Sequence, residues 1–159
     1  MLNKFLRRYT DLPSLIYLLN GRCITLLDPQ SWDDQNDSYF LRLYKEQRKL
    51  ASVLALCFTR STETYHHWRV FAGGSSGVCI SFHRGELLTA VKKQSGVRAR
   101  PVRYLKLNEI RDDPPAVRDL PFLKRYPFEK GTSSVCSTNH KKRTMTTSIS
   151  RYRCHALIE

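Results

Sequence analysis

Acidic residues are scarce in this sequence. It has 14 Asp and Glu against 27 Lys and Arg, which gives a formal charge of +13 and a pI near 9.9. Such a balance ordinarily indicates a nucleic-acid partner or an anionic membrane surface. Here the basic residues are dispersed, without the basic stripe or interleaved aromatic residues of a recognisable nucleic-acid module. We therefore expect most of them on solvated faces.

Long apolar runs and paired cysteine motifs are missing as well. No stretch of about 18 consecutive apolar residues exists, and charges interrupt the N-terminal sequence every few residues. The five cysteines are odd in number and include no C-x-x-C pair, which argues against a disulfide framework and against zinc. The sequence therefore predicts a cytoplasmic protein with buried thiols, no membrane partner and no bound metal.

The residues that are present suit one domain with a real core, since 159 residues are 41% hydrophobic. Apolar, β-branched runs bounded by turn residues predict strands at Ser52 to Thr59 and Gly77 to Phe82. The fold class predicted for residues 1–130 is α+β, a mixed or antiparallel sheet with short helices on its faces. Further predicted elements are a strand at 7–10, a helix from Asp11 to Gly21, a strand at 22–27, helices at 39–50 and 86–93, and a strand at 98–105.

The densest group of chemically useful side chains lies on the short helix predicted between those two strands. Ser61 or Thr62 is expected to cap this helix, and Gly73-Gly74 to end it. The helix carries Tyr65, His66, His67, Trp68 and Arg69. Such clustering is typical of a site, although the spacing of Tyr65, Trp68 and Ala72 equally fits a buried helix stripe.

His66 and His67 are the candidate catalytic residues. Neighbours on a helix point about 100° apart, so the pair cannot chelate one metal ion. One of them could serve as a general base because the histidine pKa lies near neutrality. The alternative is a surface or hydrogen-bonding role.

The C-terminal segment 131–159 differs from the rest of the chain. It contains ten Ser or Thr in 29 residues, shows neither strand nor helix periodicity, and contributes +4 of the charge while residues 1–130 contribute +9. It is therefore interpreted as a disordered basic tail. The alternative is translation in the wrong frame, because codon choices exist that turn residues 131–139 into a strand-like run beginning Asn-Glu-Phe-Arg.

Six blocks stand out within residues 5–128: Arg8 to Leu12, Asn20 to Pro29, Trp32 to Asp37, Cys57 to Thr59, Trp68 with Phe71-Ala72, and Gly77 to Phe82. Together these blocks resemble a bacterial family, domain of unknown function 2971. Members of that family usually end with a Glu-Phe-Arg strand, and this chain departs from the pattern there, which a frame shift or truncation would explain.

The resemblance and the residue types together suggest a nucleotide- or NAD-handling enzyme, remotely similar to ADP-ribosyltransferases and of toxin or phage-defence type. It would be impaired in this copy, because the late glutamate is missing. The alternative is a non-catalytic module that binds nucleic acid or another protein. The predicted substrate-binding residues, which stack a ring, hold a phosphate or hold a hydroxyl, are Arg8, Tyr9, Trp32, Asp34, Tyr65, Trp68 and Arg69.

Overall fold

A computed structural model describes residues 4–32, 35–72, 75–126, 133–140 and 151–152. The helices are α1 (Leu12–Gly21), α2 (Gln35–Gln47), α3 (Tyr65–Phe71), α4 (Arg84–Lys92) and α5 (Leu107–Asp112). The strands are β1 (Phe5–Asp11), β2 (Ile24–Thr25), β3 (Ser52–Thr59), β4 (Gly77–His83), β5 (Val97–Pro101), β6 (Arg103–Leu105), β7 (Leu123–Arg125), β8 (Ser133–His140) and β9 (Arg151–Tyr152). Two 3-10 turns lie at Pro29–Ser31 and Val117–Phe122.

The main sheet has five antiparallel strands in the order β4-β1-β3-β8-β5. Two short pairs accompany it: β2 with β9, which is antiparallel, and β6 with β7, which is parallel. The predicted α+β class with a mixed or antiparallel sheet is confirmed. No helix among the described residues combines the length and apolar character that crossing a membrane would require.

The sheet separates two cores because successive residues of a strand point to opposite faces. On β3, Leu56 and Phe58 belong to one core, which α1 and α4 cover through residues such as Leu18 and Leu87. Val53 and Ala55 belong to the other core, which α2 covers. Helices therefore lie on both faces, as a sheet that is apolar on both sides requires.

Helix α1 begins after Asp11 and ends at Gly21, as the sequence predicts. The Asp11 carboxylate accepts the backbone N–H of Ser14 at 2.8 Å, a typical N-cap, and Pro13 occupies the first turn. Gly21 is the last helical residue, and Arg22, which follows it, takes the left-handed conformation at φ 47°. A left-handed non-glycine residue is uncommon and costs some local strain.

Strands β1 and β3 meet and then separate. Arg7 pairs with Thr59, and continuing that register would put Asp11 opposite Ala55. Leu27 takes that place instead, through N–H···O bonds of 3.0 and 2.8 Å with Ala55. β1 and Leu27 therefore occupy successive stretches of the same edge of β3. Arg8 lies where β1 leaves that edge.

Residues 133–140 lie within the segment that the sequence interpretation sets apart as a C-terminal tail, and the structure places them in a strand. These residues form β8, and every residue of β3 has a register partner on it, from Ser52 with His140 to Thr59 with Ser133. Every residue of β5 pairs with the other edge of β8. The segments 127–132, 141–150 and 153–159 lie outside the described residues, and the frame-shift hypothesis stays a prediction.

Candidate functional site

Alternation along β1 places Arg7 and Tyr9 on one face of the sheet and Arg8 on the other. Arg7 Nη1 donates to the backbone oxygen of Ser61 at 3.1 Å, which ties β1 to the segment that follows β3. Arg8 pairs in register with Ile80, a member of the core under α1 and α4. The two adjacent arginines therefore serve different surroundings.

His67 is the centre of the face that carries Arg7 and Tyr9. Its side chain is buried, with 6% exposed, and hydroxyl groups contact both of its ring nitrogens. Ser61 Oγ lies 3.3 Å from Nε2, and Thr64 Oγ1 lies 2.9 Å from Nδ1. Thr59 Oγ1 lies 2.7 Å from Ser61 Oγ and extends the chain of hydroxyls.

Thr64 fixes the position of His67 through the backbone as well. It is the N-cap of α3, and its Oγ1 accepts the His67 N–H at 3.3 Å. The predicted caps, Ser61 and Thr62, are wrong because the helix begins at Tyr65, beyond their reach. The cap and the ring contact together hold the imidazole in one orientation.

Aromatic rings and a carboxylate complete the arrangement. Tyr9 stacks on His67 with centroids 5.0 Å apart, and Trp68 meets Tyr9 edge-on at 5.2 Å. Trp68 Nε1 donates to Glu63 Oε1 at 2.6 Å. We call the set Arg7, Tyr9, Ser61, Glu63, Thr64, His67 and Trp68 the His67 cluster.

Burial sets the protonation of the cluster. It lowers the pKa of His67, and the neighbouring His66 lowers it further, so the imidazole is neutral at neutral pH. Burial also raises the pKa of Tyr9 to about 12, with smaller contributions from Cys79 and Glu63. Cys79 is the register partner of Tyr9, yet within the described part of the chain no contact of the buried Tyr9 hydroxyl meets hydrogen-bond geometry. The cluster therefore holds a neutral base beside a phenol that stays protonated.

Arg8 is a buried cation on the opposite face. Only 9% of the residue is exposed, and Nη1 has no hydrogen-bond partner among the residues that the structure describes. Burial lowers the pKa of Arg8 to about 10, although Cys57 and Asp11 act in the opposite direction. An unpaired buried guanidinium is costly, so this position favours an anion.

The other predicted site residues that the structure describes do not join the cluster. His66 and Arg69 are exposed, and Tyr65 is 80% exposed. Trp32 packs against the core beneath α2. Asp34 lies outside the described residues. The predicted pocket of Arg8, Tyr9, Tyr65 and Arg69 is therefore not brought together among the described residues.

The structure adds four residues that the sequence interpretation passed over, namely Arg7, Ser61, Glu63 and Thr64. Strict alternation on β1 would have grouped Arg7, rather than Arg8, with Tyr9. The other three lie in a loop with no periodic pattern, so no local signal marks them.

No protein-family model, curated protein or solved structure matches this chain. The resemblance to domain of unknown function 2971 therefore stays a prediction. Among the described residues, no group of three or more His, Cys, Asp or Glu side chains could hold a metal ion. The chemistry available to the His67 cluster is that of a neutral base, a half-buried hydroxyl, a carboxylate and a guanidinium.

Proposed function

We propose that this domain is a nucleotide-handling enzyme that acts on NAD or a related dinucleotide at the His67 cluster. Cleavage of the nicotinamide–ribose bond needs an aromatic wall, a cation for phosphate, and a carboxylate that stabilises an oxocarbenium-like transition state. We place the activity in the cytoplasm and, following the family resemblance, in a toxin or defence system.

The position of Glu63 is the observation on which the proposal depends. In the sequence a carboxylate for this chemistry is missing, because the glutamate strand typical of the family is absent. The Glu63 carboxylate binds Trp68 Nε1 and lies close enough to Tyr9 and Cys79 to raise the pKa of both. A negative charge, two rings and the Arg7 guanidinium thus lie at one end of the sheet.

Each group has a defined task in this proposal. Arg7 binds a phosphate oxygen of the dinucleotide, because a guanidinium fits oxyanions in a bidentate way. The Trp68 ring, which is half-buried, offers a stacking surface, whereas Tyr9 is buried and supports His67. Glu63 stabilises the positive charge that develops on the ribose.

The test measures binding and turnover on the full chain. Calorimetry with NAD and with ADP-ribose is expected to show a dissociation constant of about 1 mM or tighter. Chromatography is expected to detect slow nicotinamide release. Glu63→Gln should keep binding and lower the release rate about 10²-fold or more, whereas the exposed Glu46→Gln should change neither.

Arg7→Ala should weaken binding of both ligands, and Arg103→Ala, which removes an exposed arginine of β6, should not. Absence of any binding by NAD or ADP-ribose at millimolar concentration would overturn the proposal. Binding with nicotinamide release that is insensitive to Glu63→Gln would remove the catalytic part.

One observation favours a second function, a module that binds nucleic acid. Tyr65 and Arg69 are four residues apart on α3, so they share one helix face, and both are exposed. An exposed tyrosine beside an arginine is suited to stacking on a base while contacting its phosphate.

Fluorescence anisotropy with a single-stranded oligonucleotide tests this second function. If it holds, Tyr65→Ala should cost about 1–3 kcal/mol of binding free energy. Tyr17→Ala on α1, which removes an exposed tyrosine with no arginine three or four residues away on its helix, should cost much less. Equal losses in both variants, or no salt-dependent binding by the parent chain, would contradict it.

A further inference from the structure

We propose that Ser61 is a nucleophile activated by His67, and that this pair hydrolyses small activated acyl esters. The activity goes beyond the proposed function, because it needs neither a nucleotide nor Glu63. It depends on the hydroxyl and imidazole groups that join the end of β3 to α3.

Ser61 is held in place at both of its backbone polar groups. Its N–H donates to Thr59 Oγ1 at 3.1 Å, and its carbonyl accepts Arg7 Nη1 at 3.1 Å. The residue is only half-buried, so a small molecule can reach it, whereas His67 is buried behind it. A fixed, reachable hydroxyl with its base on the protein side is the arrangement that nucleophilic catalysis needs.

The hydroxyl groups around His67 support one consistent direction of hydrogen bonding. Thr64 Oγ1 accepts the His67 backbone N–H and has a further lone pair for Nδ1–H, 2.9 Å away. With the proton on Nδ1, Nε2 is free to accept the Ser61 hydroxyl proton across 3.3 Å. Thr59 then donates to Ser61 Oγ at 2.7 Å. Thr64 thus orients the imidazole, as the third member of a nucleophilic triad does.

Helix capping alone does not explain the Ser61 contact. Thr64 by itself satisfies the His67 backbone N–H, and Ser61 precedes the helix by four positions. The Ser61 hydroxyl is therefore not required to begin α3. Its contact with Nε2 is an additional feature of the site.

The reaction proceeds in two balanced steps. Ser61 Oγ attacks the acyl carbonyl carbon as its proton moves to His67 Nε2, the ester C–O bond breaks, and the leaving oxygen takes that proton. Water then attacks the acyl-serine with His67 as base, releasing the carboxylic acid and restoring the hydroxyl. The Arg7 guanidinium, beside the Ser61 backbone, supplies positive charge for the developing oxyanion.

The experiment treats the full chain with a fluorophosphonate probe and identifies the labelled peptide by mass spectrometry. We expect Ser61 to be labelled and p-nitrophenyl acetate to be hydrolysed. His67→Gln should lower the labelling rate about 10²-fold, and Ser61→Ala should abolish labelling at that peptide. Thr64→Val should slow labelling while Thr64→Ser restores it. Ser95→Ala, in an exposed turn, is the matched control.

Thermal melts of each variant accompany the labelling, so that unfolding is not mistaken for lost reactivity. If Ser61→Ala unfolds, the Thr64→Val and Thr64→Ser pair decides the outcome. Absence of labelling in a folded parent chain, under conditions that label a known serine hydrolase, would overturn the proposal. So would labelling that a folded His67→Gln variant leaves unchanged. Neither result depends on NAD, so this proposal and the proposed function fail independently.

Discussion

Two tyrosines of the core show how the same side chain can be satisfied or left without a partner. Tyr44 is 1% exposed, and its hydroxyl accepts Arg98 Nη2 at 3.0 Å. The Tyr9 hydroxyl is also buried but lacks a partner of acceptable geometry. Removing each hydroxyl should therefore have different consequences, because breaking a made hydrogen bond and deleting an unmade one differ in free energy.

We expect Tyr44→Phe to lower the free energy of unfolding by about 1–3 kcal/mol, since the Arg98 guanidinium loses its acceptor. Tyr9→Phe should be neutral or stabilising by up to about 1 kcal/mol. Urea denaturation of both variants measures the difference. An equal loss in the two variants would show that the Tyr9 hydroxyl has an unrecognised partner.

We predict that removing the charge of Arg8 stabilises the folded protein, which is unusual for a substitution of a charged residue. Its pKa falls to about 10 in the folded protein, so below that pH both folded and unfolded chains carry the proton and the burial cost is fully present. That cost is about 3 kcal/mol, and it begins to fall only as the pH rises above about 10, where the folded protein starts to lose the proton. We expect Arg8→Met, which keeps the apolar stem, to stabilise the protein by about 1–3 kcal/mol at pH 7.

Chemical denaturation in a buffer free of phosphate and sulfate checks this value. Arg103→Met, an exposed arginine, is the control and should change stability little. A net loss of stability in Arg8→Met would mean that the protein already provides a negatively charged partner for the Arg8 guanidinium.

For individual residues, the sequence predicts the right types of side chain but not the residues that contact them. Tyr9, one of the predicted substrate-binding residues, does lie against both His67 and Trp68 of the predicted helix. The convergence of Ser61 and Glu63 depends on how a non-periodic loop folds back over β1, and no spacing rule encodes that.

The imidazole of His67, on helix α3, makes the stability of the folded protein depend on pH. Burial and His66 lower the pKa of His67 in the folded state, so the unfolded chain binds a proton first as the pH falls. The folded state is therefore penalised as the pH falls below about 6.5, the unfolded value. Above that pH the penalty is absent.

His67→Gln should flatten the stability profile between pH 7.5 and pH 5 relative to the parent chain, because glutamine keeps hydrogen-bonding groups but does not titrate. His66→Gln should leave most of the slope, since His66 is exposed and acts only through its charge. Thermal melts across this pH range provide the comparison. Parallel profiles for the parent chain and His67→Gln would assign the acid sensitivity to other groups.

Elements with strong local patterns agree with the sequence prediction. The predicted Ser52–Thr59 strand is β3, and the predicted Gly77–Phe82 strand is one residue short of β4. The strand predicted over 98–105 is instead β5 and β6, which separate after Pro101. Proline has no N–H with which to continue a ladder, so the chain changes partners there.

The whole molecule depends on β8, the strand that the sequence interpretation missed. Its residues are mostly small and polar, and its partners on β3 lie far away in the sequence. Local periodicity shows how apolar and polar residues alternate along a segment. It does not show which strand that segment pairs with. The α+β class could therefore be predicted from the sequence, whereas the strand order could not.

Truncation tests this dependence. A chain of residues 1–130 lacks β8, which leaves β3 and β5 without their shared neighbour, and we expect it to lose cooperative unfolding and to aggregate. A chain of residues 1–152 keeps β8 and β9 and should melt close to the full-length protein. Thermal melts followed by near-ultraviolet circular dichroism measure both. A cooperative melt of 1–130 near the full-length midpoint would show that β8 is dispensable.

The late position of β8 also affects synthesis in the cell. The ribosome completes β3 and β5 well before it reaches Ser133. During this wait the nascent chain exposes the strand edges of β3 and β5 that later pair with β8. Such a wait favours association between neighbouring nascent chains and recruitment of chaperones. Slower translation would prolong the wait, so the yield of folded protein should depend on the speed of elongation over its final codons.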